Sequence, residues 1–307
     1  MSGCTILSHT EIHNDNFMIF LKAEAGRLTR IIGRIFLFLS VSSLYIGGSG
    51  FCKAFAGFIL LGAAANLHAC LSVFLTVFSV YSLNKLTDVK EDAINFPERS
   101  GFLAGRTGLI LAYSLGAYAL AVFLIALEKP VAIPVIFIPL IANALYSSRL
   151  IPGLPRLKDI PFMKNLVVAF SWALVCVLIP AAYSKRLDAK VLLIILFMAL
   201  KSIINTVLYD VRDVAGDKKN GIITVPILLG LEKTSLILLA ANSSLLPLAI
   251  LTKGIAGQLM VGMIAYGYIY ILYFSKKRNP FSLDLFVDGE WMLACMSIMM
   301  ISRMGLS

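Results

Sequence analysis

Asp88-Val-Lys-Glu-Asp92 and Asp213-Val-Ala-Gly-Asp217 repeat one pattern, each just past a long apolar run. Six of the 17 acidic residues sit in or beside these stretches: Asp88, Glu91, Asp92, Asp210, Asp213 and Asp217. Like charges packed so closely are costly unless a cation or a partner neutralises them, so the chemistry they point to is binding of divalent metal. On a helix, Asn84, Asp88 and Asp92 stand one turn apart and drift by about 40° per step, while Asp210, Asp213 and Asp217 stay within about 60° of one another. Each set therefore makes one acidic face. Upstream, Lys201, Asn205 and Tyr209 carry a polar stripe into the apolar run. They are expected to look inward and line a cavity, because a charge facing lipid at mid-bilayer costs at least about 3 kcal/mol. Mg²⁺ prefers oxygen ligands and is commonly shared between one or two carboxylates and substrate phosphates, so a diphosphate ester bridged by Mg²⁺ suits two facing clusters. Nearby bases, among them Arg30, Arg34, Lys90, Arg99, Arg149, Lys158 and Lys218, can clamp the remaining phosphate charge or simply fix topology.

The elements that must position these groups are membrane helices. A hydrophobic fraction of 59%, with 14% charged residues against about a quarter in soluble domains, excludes a water-soluble globule. The mean hydropathy of +0.88 agrees. The sequence predicts an all-α, polytopic membrane protein with nine spans, at 31–48, 55–83, 107–127, 130–147, 165–183, 189–208, 235–252, 255–274 and 285–303. With the N-terminus inside, lysines and arginines concentrate in the inner segments, as the positive-inside rule requires, and Lys53 counts among the few outer ones. Both acidic motifs then emerge on the same, cytoplasmic side, and the C-terminus lies opposite. Residues 1–27 read as a polar tail and 28–307 as a single membrane domain. The repeated Asp-Val-x-x-Asp suggests pseudo-repeat halves at 28–147 and 148–307.

Other polar residues have plainer readings. The cysteines lack CxxC spacing and read as packing residues, and His9 and His13 belong to a solvated tail. Asn66, His68 and Asn143 are expected to make interhelical hydrogen bonds. A formal charge of +10 suits an anionic leaflet or an anionic substrate and does not choose between them.

Asn84-x-x-x-Asp88-x-x-x-Asp92 and Asp210-x-x-Asp213-x-x-x-Asp217, after spans two and six of nine, resemble the two signature motifs of the UbiA superfamily of intramembrane prenyltransferases. Gly216-Asp217 through Thr224-Val225-Pro226 to Gly230 is similar to a conserved-type run of that family, and Arg27-Leu28-Thr29-Arg30 resembles the basic entry to its first helix. Tyr146-Ser147 with Arg149 or Lys158 resembles its diphosphate-contacting segment, although Ile151-Pro152-Gly153-Leu154-Pro155 stands as an insertion before Lys158-Asp159-Ile160-Pro161.

The resemblance implies a helical bundle around a central cavity, with a polar cap over the cytoplasmic side. It implies two Mg²⁺ ions held by Asn84, Asp88 and Asp92 and by Asp210, Asp213 and Asp217, with Asp88, Asp92, Asp213 and Asp217 catalytic. Arg30, Tyr146, Ser147, Arg149, Lys158 and Lys218 would bind diphosphate. The donor would be an allylic isoprenyl diphosphate. The acceptor would be hydrophobic, either an aromatic quinone precursor or a glyceryl phosphate lipid precursor, with membrane lipid as the surroundings and no nucleic acid partner. The alternative from the residues alone is a divalent-cation transporter or channel. Carboxylates gathered at one membrane face among bases favour an anionic metal complex over a bare cation.

Overall fold

The computed structural model describes residues 31–87, 105–147, 160–275 and 280–303. Every regular element among them is helical: α1 Ile31–Val41, α2 Leu44–Leu61, α3 Leu67–Thr87, α4 Thr107–Glu128, α5 Ile133–Ser147 and α6 Met163–Tyr183. Then come α7 Ala189–Lys219, α8 Val225–Ser243, α9 Leu246–Leu251, α10 Gly254–Phe274, a short α11 Pro280–Leu283, a π-helical turn Asp284–Asp288 and α12 Gly289–Arg303. The chain divides at Ser42 into two units: α1 stands in the first, and all the other elements form the second.

Seven of the described helices are long and apolar enough to cross a membrane, with α8 and α9 counted as one. Ile31–Val41 and Pro130–Leu145 are apolar but shorter. The expected spans 107–127, 165–183 and 255–274 coincide with α4, α6 and α10 to within two residues. The break expected at 49–54 is a misreading. Gly47, Gly48 and Gly50 lie inside α2, and Lys53 is a mid-helix residue rather than an outer-loop one. These glycines are contact points. A Cβ on Gly50 would lie 2.5 Å from Val77 Cγ2, so their absent side chains let α3 approach. The chain turns instead at 62–66, where Gly62 takes φ +73°. Asn66 then accepts from Ala69 N at 2.8 Å, capping α3, and its side chain also bonds across to Glu128. His68 bonds between helices as well, through Nδ1 to Glu128 at the end of α4.

Neighbouring helices form a closed circuit, α2, α3, α5, α6, α7, α8, α10, α12 and back to α2, with α4 packed outside α3. Across this circuit α2 also meets α6. At Gly57 the backbones come so close that a Cβ would sit 2.2 Å from Cys176 O. In a bilayer, apolar contact with a helix has no advantage over contact with lipid, so close backbone packing and polar bridges must hold the bundle.

α7 matters most for the site. Asp188 caps its start by accepting from Val191 N at 3.3 Å. Its 31 residues reach about 46 Å at 1.5 Å each, well beyond the ~30 Å hydrocarbon thickness. The surplus is the C-terminal stretch that carries Asp210, Asp213 and Asp217, so these carboxylates ride on a rigid extension of a membrane span. The helix ends in a Schellman motif: Gly221 is at φ +71°, Ile222 N donates to Asp217 O at 2.9 Å and Gly221 N donates to Lys218 O at 3.3 Å.

Candidate active site

Asp210 and Asp217 face α6. Lys164 Nζ lies 2.8 Å from Asp210 Oδ1 and 3.6 Å from Asp217 Oδ2, and Asn165 Nδ2 donates to Asp210 Oδ2 at 2.8 Å. The Asp210 side chain is fully buried. Asp213 turns to the other flank of α7, where Arg212 grips it through Nε at 2.7 Å and Nη2 at 2.9 Å. Arg212 Nη1 also donates to Asp284 Oδ1 at 3.1 Å, and its Cζ lies 4.8 Å from the Tyr209 ring centroid. Tyr209 Oη donates to Asp288 Oδ2 at 2.6 Å. One flank thus pairs with α6 and the other with the turn before α12.

Deeper along α7 the polar stripe is a packed seam. Lys201 Nζ lies 2.6 Å from Glu290 Oε1 and donates to Tyr270 Oη at 2.9 Å and to Met263 O at 3.1 Å. Tyr270 Oη donates to Asn205 Oδ1 at 3.0 Å. Lys201 and Glu290 are both buried, and the seam closes because residue 267 is glycine: a Cβ there would come within 2.9 Å of Lys201 Nζ. The two described cavities are lined by other residues.

The larger cavity, about 70 Å³, lies between α3, α5 and α6 and is lined by Asn84 and Asn143 among mostly apolar side chains. A smaller one, about 10 Å³, is lined by Lys53, Val77 and Cys176 on α2, α3 and α6. Tyr81 and Trp172 line both, with ring centroids 5.7 Å apart and planes 17° from parallel. Asn143, expected to bridge helices, lines the larger cavity.

The expected site is therefore placed in part. Asn84 lies in the last turn of α3, half-buried, and Asp210, Asp213, Asp217 and exposed Lys218 share the end of α7. Tyr146 and Ser147 end α5. Arg30, Asp88, Asp92, Arg149 and Lys158 lie outside the described residues. Among the described residues no three carboxylates, imidazoles or thiols converge on one point. Asp210 Oδ1 and Asp217 Oδ2 are nonetheless both buried and share one cation, Lys164. Carboxylate oxygens are hard donors of the kind Mg²⁺ takes.

Several residues of this assembly were not singled out from sequence. Lys164 and Asn165 open α6 just after Pro161, where a lysine reads only as a charge at the end of a span. Asp284, Asp288 and Glu290 form a third acidic group in an acid-poor chain, yet singly each reads as a helix-start charge. Nothing in the local sequence pairs Tyr81 with Trp172.

The fold and polar end define a multi-pass helical membrane protein with carboxylates clustered at the end of a long span. The family model "UbiA prenyltransferase family" matches residues 35–287, and the chain belongs to that family. It is accordingly a transferase, and the transporter alternative finds no support. A digeranylgeranylglyceryl phosphate synthase from Natronomonas pharaonis is 27% identical over 248 residues, 80% of this chain and 84% of the relative. One from Methanoregula boonei is 30% identical over 167 residues, 52% of this chain and 56% of the relative. In fold, the chain is similar to a UbiA homolog from Archaeoglobus fulgidus bound to GPP and Mg2+, with TM-score 0.64 and 17% identity over 85% of this chain and 99% of that one.

Proposed function

We propose that this transferase ionises an allylic isoprenyl diphosphate with the help of Mg²⁺ and passes the prenyl group to a glyceryl phosphate lipid precursor. The observation that carries the reading is the pair Asp210 and Asp217, two buried carboxylates held on one face of α7 and bridged by Lys164. The names of the curated relatives favour a lipid acceptor over the aromatic one.

In this reading Asp210 and Asp217, joined by Asp213 once it is released from Arg212, would hold one ion, and Asn84, Asp88 and Asp92 would hold a second. Mg²⁺ held there would supply positive charge that stabilises the departing diphosphate. Lys164, Lys218, Arg30 and either Arg149 or Lys158 add fixed cationic charge around the same group, with Tyr146 and Ser147 as hydroxyl donors. The C1–oxygen bond breaks and its electron pair leaves with the diphosphate. The acceptor hydroxyl then closes the new carbon–oxygen bond to C1 and loses its proton. The apolar walls contributed by α3, α5 and α6 keep water from the allylic cation meanwhile.

The test reconstitutes the protein in nanodiscs with Mg²⁺, an allylic diphosphate and either a glyceryl phosphate monoether or an aromatic acid. Prenylated ether detected by mass spectrometry supports the reading. Prenylation of the aromatic acid alone moves the acceptor assignment, and absence of both products defeats it.

A further inference from the structure

We propose that the Tyr81–Trp172 ring pair is the end wall of the pocket that receives the donor's prenyl tail, and so sets which donor length fits. The inference rests on the prenyl-diphosphate reading above. The larger cavity touches Asn84, the first residue of the first acidic motif, and descends from it between α3, α5 and α6. Its lining covers Val80–Asn84 on α3 and Val167–Trp172 on α6, an axial run of about 6 to 8 Å at 1.5 Å per residue. An isoprene unit, four backbone carbons long, occupies a similar length, so one unit and at most part of a second fit below a diphosphate held at the motif.

At that depth the two rings stack across the gap between α3 and α6. Behind them the space continues as the smaller cavity, whose lining changes in character. Lys53 lies there, its Nζ 5.6 Å from the centroid of the Trp291 ring. The rings thus separate the larger pocket from a smaller recess that Lys53 also lines. An opening in the ring pair would join the two cavities into one deeper pocket.

The experiment measures binding, not turnover. Protein in nanodiscs with Mg²⁺ is titrated with non-ionising S-thiolodiphosphate analogues bearing geranyl, farnesyl and geranylgeranyl tails. W172A and Y81A open the wall from opposite helices, so misfolding of one leaves the other; W172F retains a ring. The expected result is that either opened variant raises geranylgeranyl affinity relative to geranyl by about tenfold over the unsubstituted protein, while W172F moves the ratio by less than about threefold. An unchanged ratio in folded W172A or Y81A overturns the end wall alone. Failure of every analogue to bind the unsubstituted protein defeats the prenyl-diphosphate reading, and the end wall with it.

Discussion

At the scale of residues, the two flanks of α7 make separable predictions. Asp213 is gripped by Arg212, its neighbour in sequence, which keeps a second carboxylate partner in Asp284. D213A is therefore expected to lower kcat/KM at least about 100-fold with a small change in melting temperature, as removal of a group that acts on transition-state charge does. Asp210 is different, because it is buried against Lys164 and Asn165. D210A leaves a lysine beside a buried gap and is expected to cost about 3 kcal/mol of stability as well as activity. Thermal unfolding of both variants beside their kinetics distinguishes the two roles. The aspartates were legible because three acids at helical spacing in an acid-poor chain stand out. Lys164 was not, because a single lysine before an apolar run carries the same signal as any topogenic charge.

At the scale of elements, the bundle depends on backbone contact and a few polar bridges. G57A puts a methyl group into Cys176 O, and an overpacked crossing of this kind costs about 1–3 kcal/mol. Its sign is checked by chemical denaturation in detergent. The Lys201–Glu290 pair gives a second test. K201M and E290L each strand a buried charge and are expected to destabilise by about 3–5 kcal/mol, whereas the double substitution recovers most of the loss. Near-additive losses would show the pair is not coupled. Element reading from sequence worked where apolar runs were clean, as at α4, α6 and α10. It failed around Lys53, since Gly47-Gly48-Ser49-Gly50 followed by a lysine has the composition of a loop. In the bilayer those small residues are contact surface, and Lys53 faces the rings of the bundle rather than water.

At the scale of the whole molecule, the predicted orientation has a direct check. Cysteines introduced at exposed Lys218 and at Ser184, beyond the other end of α6, are expected to be labelled by a membrane-impermeant maleimide from opposite sides, Lys218 from the cytoplasmic one. Labelling of both from one side would refute the topology. The class of the fold was legible because composition alone demanded a membrane and spacing placed the acids at one end. The contacts between distant segments, α7 with Asp284 and Asp288 or Tyr81 with Trp172, were not. Neither leaves a periodic trace, and each arises only when the circuit of helices closes.

The uninterrupted rod of α7 ties catalysis to the host bilayer. Pinned at Lys201, it holds Asp213 twelve residues on, about 18 Å along its axis. A change in acyl length that tips such a lever by 5° sweeps its carboxylate tip through about 1.6 Å, more than ligand geometry around Mg²⁺ tolerates. Turnover should consequently peak in membranes of one thickness and decline on either side of it, as kinetics in nanodiscs of graded acyl length would show.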